Sequence, residues 1–107
     1  MENKREFEEF KKSEMIENFA KKFDVKKSKA TEMIDFMFGQ LEGALIDGKT
    51  FTQRSFGRFT PVFRERRKAM NVTRKTEVDI PSKYAPVLRF SKTLRDKVKD
   101  AANERSW

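Results

Sequence analysis

The hydrophobic period of this chain changes at Lys49, and the change separates what can fold before it from what can fold after it. Up to Ile46, apolar residues recur every three or four positions. Met15, Ile16, Phe19, Ala20 and Phe23 form one run, and Ala30, Met33, Ile34, Met37, Phe38, Leu41, Ala44 and Leu45 form a second. From Lys49 the repeat is two, the spacing of a strand. Helices followed by strands predict an α+β domain.

Local signals set the expected boundaries. Ser13, followed by Glu14 in the first turn, is the expected cap of a first helix reaching about Phe23, with Asp24-Val25 as the turn. The second helix is predicted from about Lys27 to Ile46 and ends at Asp47-Gly48, where glycine can take the left-handed position. Phe36 widens its stripe beyond what one neighbour covers, so two packing partners are expected, one of them in a second subunit. Gly39 and Gly43 either permit a close helix approach or are incidental.

Thr50 to Phe56 reads as a first strand, with Gly57 a tight bend or a close backbone approach. Arg58 to Lys68 reads as a second strand, with Phe59 and Phe63 toward the core and Pro61 marking an edge or bulge. Thr76 to Ile80 is the third, broken by Pro81-Ser82. After Pro86 the pattern returns to helix, with Ser91 as cap and Leu94 and Val98 on one face. The expected architecture is two N-terminal helices, a three-stranded antiparallel sheet whose second and third strands run on as an extended β-arm, and a C-terminal helix. The domain is expected to span 13–99, with the arm at about 64–80. Residues 1–12 are an N-terminal extension, either a helical piece docking Phe7 and Phe10 or, the preferred reading, a frayed tail. Residues 100–107 are a C-terminal tail with Trp107 as a free end.

Charge is distributed unevenly. Residues 1–12 are balanced and 13–48 carry −2, whereas 49–107 hold sixteen bases and six acids, a net +10. Much of this lies between Arg64 and Lys83, a cationic segment that no compact core requires. Such an asymmetry points to a polyanionic partner. With 39% charged and 36% hydrophobic residues, core material is limited, although eleven Phe add to it. Dimerisation is the expected remedy. The absence of Cys and His excludes disulfides, ordinary zinc sites and histidine bases. No Gly-rich phosphate loop, ligand cluster or nucleophile–base pair is present, so no enzyme activity, metal or cofactor is expected. No stretch is long and apolar enough for a membrane span, and no secretory signal opens the chain, so a soluble cytoplasmic protein is expected.

From about Lys12 to Lys99 the chain resembles the HU/IHF family of bacterial histone-like, DNA-bending proteins. The residues that carry the resemblance are Lys12-Ser13-Glu14-Met15-Ile16, Gly48, Phe56-Gly57-Arg58-Phe59, Arg64-Glu65-Arg66, Asn71 at the arm tip, Ile80-Pro81, Pro86, Lys92, Leu94, Asp96 and Val98. The resemblance implies an intertwined homodimer whose helices form a base and whose sheets form a saddle. Two β-arms then enter the minor groove of double-stranded DNA. It also implies a nucleoid-associated protein that bends and compacts DNA with little sequence preference, or, as the alternative, a relative that prefers particular sites in recombination, replication or transcription. RNA is a further candidate partner. The chain departs from the family where Asn-Pro is common at the tip, since it carries Asn71-Val72. It also has Lys75 for the tip glycine, Ser91 for the glycine before the last helix, and Lys26 for the Ser that caps the second helix.

The expected DNA contacts follow from the chemistry of a basic ribbon, whose Arg and Lys reach phosphates on either side of a groove. Arg64, Arg66, Arg67, Lys68, Arg74 and Lys75 are the expected arm contacts. Arg54, Arg58, Lys83, Arg89 and Lys92 are expected on the saddle or its flanks. At eight residues per limb the arm is expected to reach roughly 26 Å. Val72 is expected to insert partially between base pairs, a smaller wedge than the apolar side chains known to do so, with Met70 as a nearby substitute.

Overall fold

The computed structural model describes residues 6–71, 73 and 75–107; of Asn71 the backbone is described. Helix α1 spans Lys12–Phe23 and α2 Lys27–Ile46. Strands follow at β1 Phe51–Gln53, β2 Gly57–Arg64, β3 Arg67–Asn71, β4 Thr76–Ile80 and β5 Lys83–Phe90, and α3 Lys92–Glu104 closes the chain. The sheet order is β1-β2-β5, all antiparallel, while β3 and β4 form a separate two-stranded sheet, the arm.

Helices α1 and α2 pack around Ala20, Ala30 and Ile34, the buried hydrophobic residues among those described. Ion pairs Lys12–Asp35 and Lys27–Glu17 tie the two helices at the surface. Asp24 takes the left-handed conformation at φ 54° and ends α1, and Gly48 does the same after α2 at φ 75°. Ser13 is not the cap of α1. The helix starts two residues earlier, with Lys11 as N-cap; its carbonyl, not a side chain, accepts from Glu14 and Met15. A Cβ at Gly39 or Gly43 would meet nothing within 4 Å, so neither supports a close approach within the chain.

The strands differ from expectation in three ways. The first is only three residues long, because Arg54–Phe56 form a turn with Ser55 at φ 64°. The expected strand Arg58 to Lys68 is two strands, interrupted at Glu65-Arg66. The third strand of the sheet is β5, in a stretch expected to be returning to helix after Pro86. Pro86 lies opposite Pro61 in the register. Two prolines fit face to face only at a non-hydrogen-bonded pair, where each nitrogen points away from the other strand and no rung is lost.

Gly57 is a close approach rather than a bend. An added Cβ would stand 2.9 Å from the Arg89 carbonyl oxygen and 3.2 Å from Leu88 Cδ1. Next to it the Ser91 N–H donates to the Phe56 carbonyl at 2.9 Å, anchoring α3 to the sheet. The Ser91 side chain accepts from the Leu94 N–H at 3.1 Å, as expected of a cap. The tail expected at 100–107 is helical to Glu104. Trp107 is not a free end: its ring meets Phe7 edge-on at 5.1 Å, so the extension folds back on the C-terminus although residues 6–11 have no regular secondary structure.

Candidate nucleic-acid interface

Residues directly opposite one another in an antiparallel pair share a face, and faces alternate along a strand. On one face of the sheet the register places Phe51, Phe59, Phe63, Tyr84, Pro86 and Leu88. Phe51 joins Met37, Leu41 and Ala44 of α2 around a cleft of ≈ 260 Å³, which makes this the helix side. The other face carries Arg58 opposite Arg89 and Arg64 opposite Lys83. Strands β1, β2 and β5 contain four cations and no acid, and the alternation delivers all four to one surface.

Between the two cationic rungs, six residues apart or about 20 Å along β2, the floor is Thr60, Val62, Ala85 and Val87. These side chains are short and uncharged, and the hydroxyls of Thr50 and Thr60 are 2.9 Å apart. Like charges directly opposite each other are unfavourable in a sheet. The arrangement becomes favourable when an anion lies across each rung.

The arm continues from the Arg64–Lys83 rung through two short breaks, Glu65-Arg66 and Pro81-Ser82. Its strands are five residues each, about 17 Å of paired ribbon beyond the breaks. Its two faces differ. Lys68 and Met70 share one with Glu77 and Asp79, and here the charges are already matched: Lys68 Nζ is 3.4 Å from Glu77, and Arg66 makes a two-point contact with Asp79, its Nε 3.1 Å from Oδ1. The Asp79 hydrogen bond raises the pKa of the Arg66 guanidinium, a group that is charged at every accessible pH in any case. The other face carries Arg67 with Ala69, Val78 and Ile80.

Of the expected contacts, Arg58, Arg64, Lys83 and Arg89 are brought together on the sheet. Arg67 and Lys75 are on the arm without a carboxylate partner among the described residues, whereas Arg66 and Lys68 are paired. Lys75 holds φ 54°, the left-handed conformation the family's glycine would take without steric cost. Arg54 stands in the turn before β2 and shares a cleft with Arg58 and Arg89. Lys92 opens α3 and is paired with Asp96 at 2.8 Å. Val72, Arg74 and the side chain of Asn71 lie outside the described residues. The expectation of a basic ribbon did not foresee that Glu77 and Asp79 pair with Lys68 and Arg66. Their spacing of two puts both carboxylates on one side of β4, a signal present in the sequence.

A family model described as bacterial DNA-binding protein matches residues 10–99. DNA-binding protein HU of Staphylococcus aureus (strain COL) is 31% identical over 88 residues, 82% of this chain and 98% of its own. DNA-binding protein HRm of Rhizobium meliloti (strain 1021) is 32% identical over 87 residues, covering 81% and 97%. Among solved structures, an Anabaena HU–DNA cocrystal superposes with a TM-score of 0.73 at 26% identity, over 83% of this chain and 97% of that one. A mutant HU from Thermotoga maritima has the same fold, with a TM-score of 0.58 at 24% identity over 83% and 99%.

Proposed function

We propose that this chain, which belongs to the bacterial DNA-binding protein family, is an architectural protein that grips and bends double-stranded DNA as a homodimer. The observation that carries the reading is the sheet surface on which Arg58, Arg64, Lys83 and Arg89 face outward with no acid among them. A duplex presents phosphates of both strands to such a surface, and the uncharged floor lets the backbone sit close. The arm extends from one end of it and is narrow enough to follow a groove. Arg is the suitable cation there, because it is weakly hydrated and its fork can bridge acceptors.

The dimer is supported by what the single chain leaves uncovered. Phe36, Phe38, Met37, Ile46, Phe56, Phe63 and Phe90 are all exposed, while the buried core among the described residues is two alanines and an isoleucine. The radius of gyration of 19.1 Å compares with about 13 Å for a compact domain of this length. A second copy laid on the apolar sheet face and on α2 would bury that surface. No helix among the described residues is long and apolar enough to cross a membrane. We place the protein on the nucleoid, in a binding rather than a catalytic role, with 13–99 as the DNA-binding unit.

Retention of duplex DNA in an electrophoretic shift, with log Kd rising steeply with log salt, is the expected result. Each neutralised phosphate contributes about 0.9 to the slope. Affinity unchanged by salt, or no retention at low salt, rejects the reading.

A further inference from the structure

The two cationic rungs of the sheet differ in surroundings, and the difference implies different ligands. At the arm root, the cleft beside Arg64 is lined by Phe63, Glu65, Arg66 and Arg67. A carboxylate is in its wall, and Arg66 is already held by Asp79. At the opposite end, Arg58 and Arg89 share a cleft of ≈ 440 Å³ with Arg54, and no lining residue is acidic. The remaining side-chain donors of the lining are the hydroxyls of Thr52, Ser55 and Ser91 and the amide of Gln53. Ser91 uses an oxygen lone pair to accept from Leu94, which leaves its proton to donate.

The start of α3 adds to this. Its first turn holds no acid, and the N–H groups of Lys92 and Thr93 have no intrahelical acceptor, so the positive end of the helix is uncompensated beside the cleft. The geometry is fixed by features already described. Gly57 lets β2 and β5 close until Arg58 and Arg89 stand opposite each other, and Ser55 at φ 64° turns the chain so that Arg54 lines the same recess.

Three guanidinium groups with no acid among the lining residues exceed what the single charge of a phosphodiester matches. A phosphate monoester carries −1.5 to −2 at neutral pH and offers three terminal oxygens, enough for separate Arg forks. We propose that the Arg54–Arg58–Arg89 cleft is a site for a phosphate monoester, taking the terminal phosphate of a broken DNA strand in preference to the diester of an intact one. This rests on the DNA-binding reading and specifies which phosphate one end of the sheet selects.

The test uses the full chain and duplexes of one sequence with a single nick, ending in 5′-phosphate, 3′-phosphate or hydroxyls only. At equal salt, a terminal phosphate of at least one polarity is expected to tighten binding about five-fold, and the advantage should fall as pH drops through about 6, where the monoester loses its second charge. Arg54→Gln is expected to bring the phosphate-to-hydroxyl ratio to about one, whereas Arg67→Gln on the arm weakens all duplexes but keeps the ratio. Equal affinity for phosphate and hydroxyl nicks, or a ratio that survives Arg54→Gln, overturns the proposal even when intact duplex is bound. Failure to bind intact duplex rejects the underlying function instead. Pyrophosphate as competitor distinguishes the sources: abolishing the ratio at millimolar concentration means the cleft takes free oligophosphate as readily as a strand end and overturns the strand-end assignment, while an unchanged ratio supports it.

Discussion

Removing the carboxylate of Asp79 leaves Arg66 without its cross-arm partner, and the two-point contact makes this the better defined of the arm's ion pairs. When DNA displaces the carboxylate, the arginine exchanges one anion for another and little screening salt is released. Asp79→Asn should therefore tighten DNA binding and steepen the salt slope by up to about 0.9, read from binding isotherms at several salt concentrations. Lys75 makes the complementary case at the tip. Its φ of 54° costs a non-glycine residue about 1–2 kcal/mol, so Lys75→Gly should raise the melting temperature of the free protein while weakening DNA binding by loss of a cation. Gly57→Ala should destabilise by roughly 1–3 kcal/mol in thermal unfolding, because its nearest obstacle is the fixed backbone oxygen of Arg89. Val72→Ala tests the tip wedge: less bending in ligase-mediated circularisation supports insertion between base pairs, and unchanged bending rejects it.

At the scale of elements, Ser91→Ala should cost about 1 kcal/mol in the same thermal assay, because it removes the only side-chain oxygen seen capping a helix among the described residues. That cap was legible in the sequence, as were the limits of α2 and β4, because a hydroxyl before a periodic run and a clean alternation are local signals. β5 was not. Pro86 reads as a breaker until its partner is known, and only the register shows it opposite Pro61, where neither nitrogen is asked to donate. The same missing strand explains why Arg58, Arg64, Lys83 and Arg89 could be named as contacts but not as two facing pairs. Pairing is a property of two strands, and the sequence displays one at a time. The start of α1 was misplaced for a different reason: Ser13 has the right chemistry for a cap, but Lys11 carries the extended backbone that precedes the helix.

For the whole molecule, salt is expected to act in two opposite senses. In the free protein the facing cations of the sheet repel, and a shorter Debye length relieves them, so its melting temperature should rise between about 0.05 and 0.5 M salt. In the complex the same ions compete with the protein for phosphate and weaken binding. A homodimer adds a dependence of melting temperature on protein concentration, which sedimentation equilibrium can match to a mass twice the 12.7 kDa of one chain. The docking of Phe7 on Trp107 makes such measurements convenient. This is the single tryptophan of the sequence; the residue is about half exposed, and its ring meets Phe7 from the far end of the chain. Its fluorescence is thus a built-in optical gauge of whether the two ends are in contact, and Phe7→Ala should shift the emission to the red without any dye being attached.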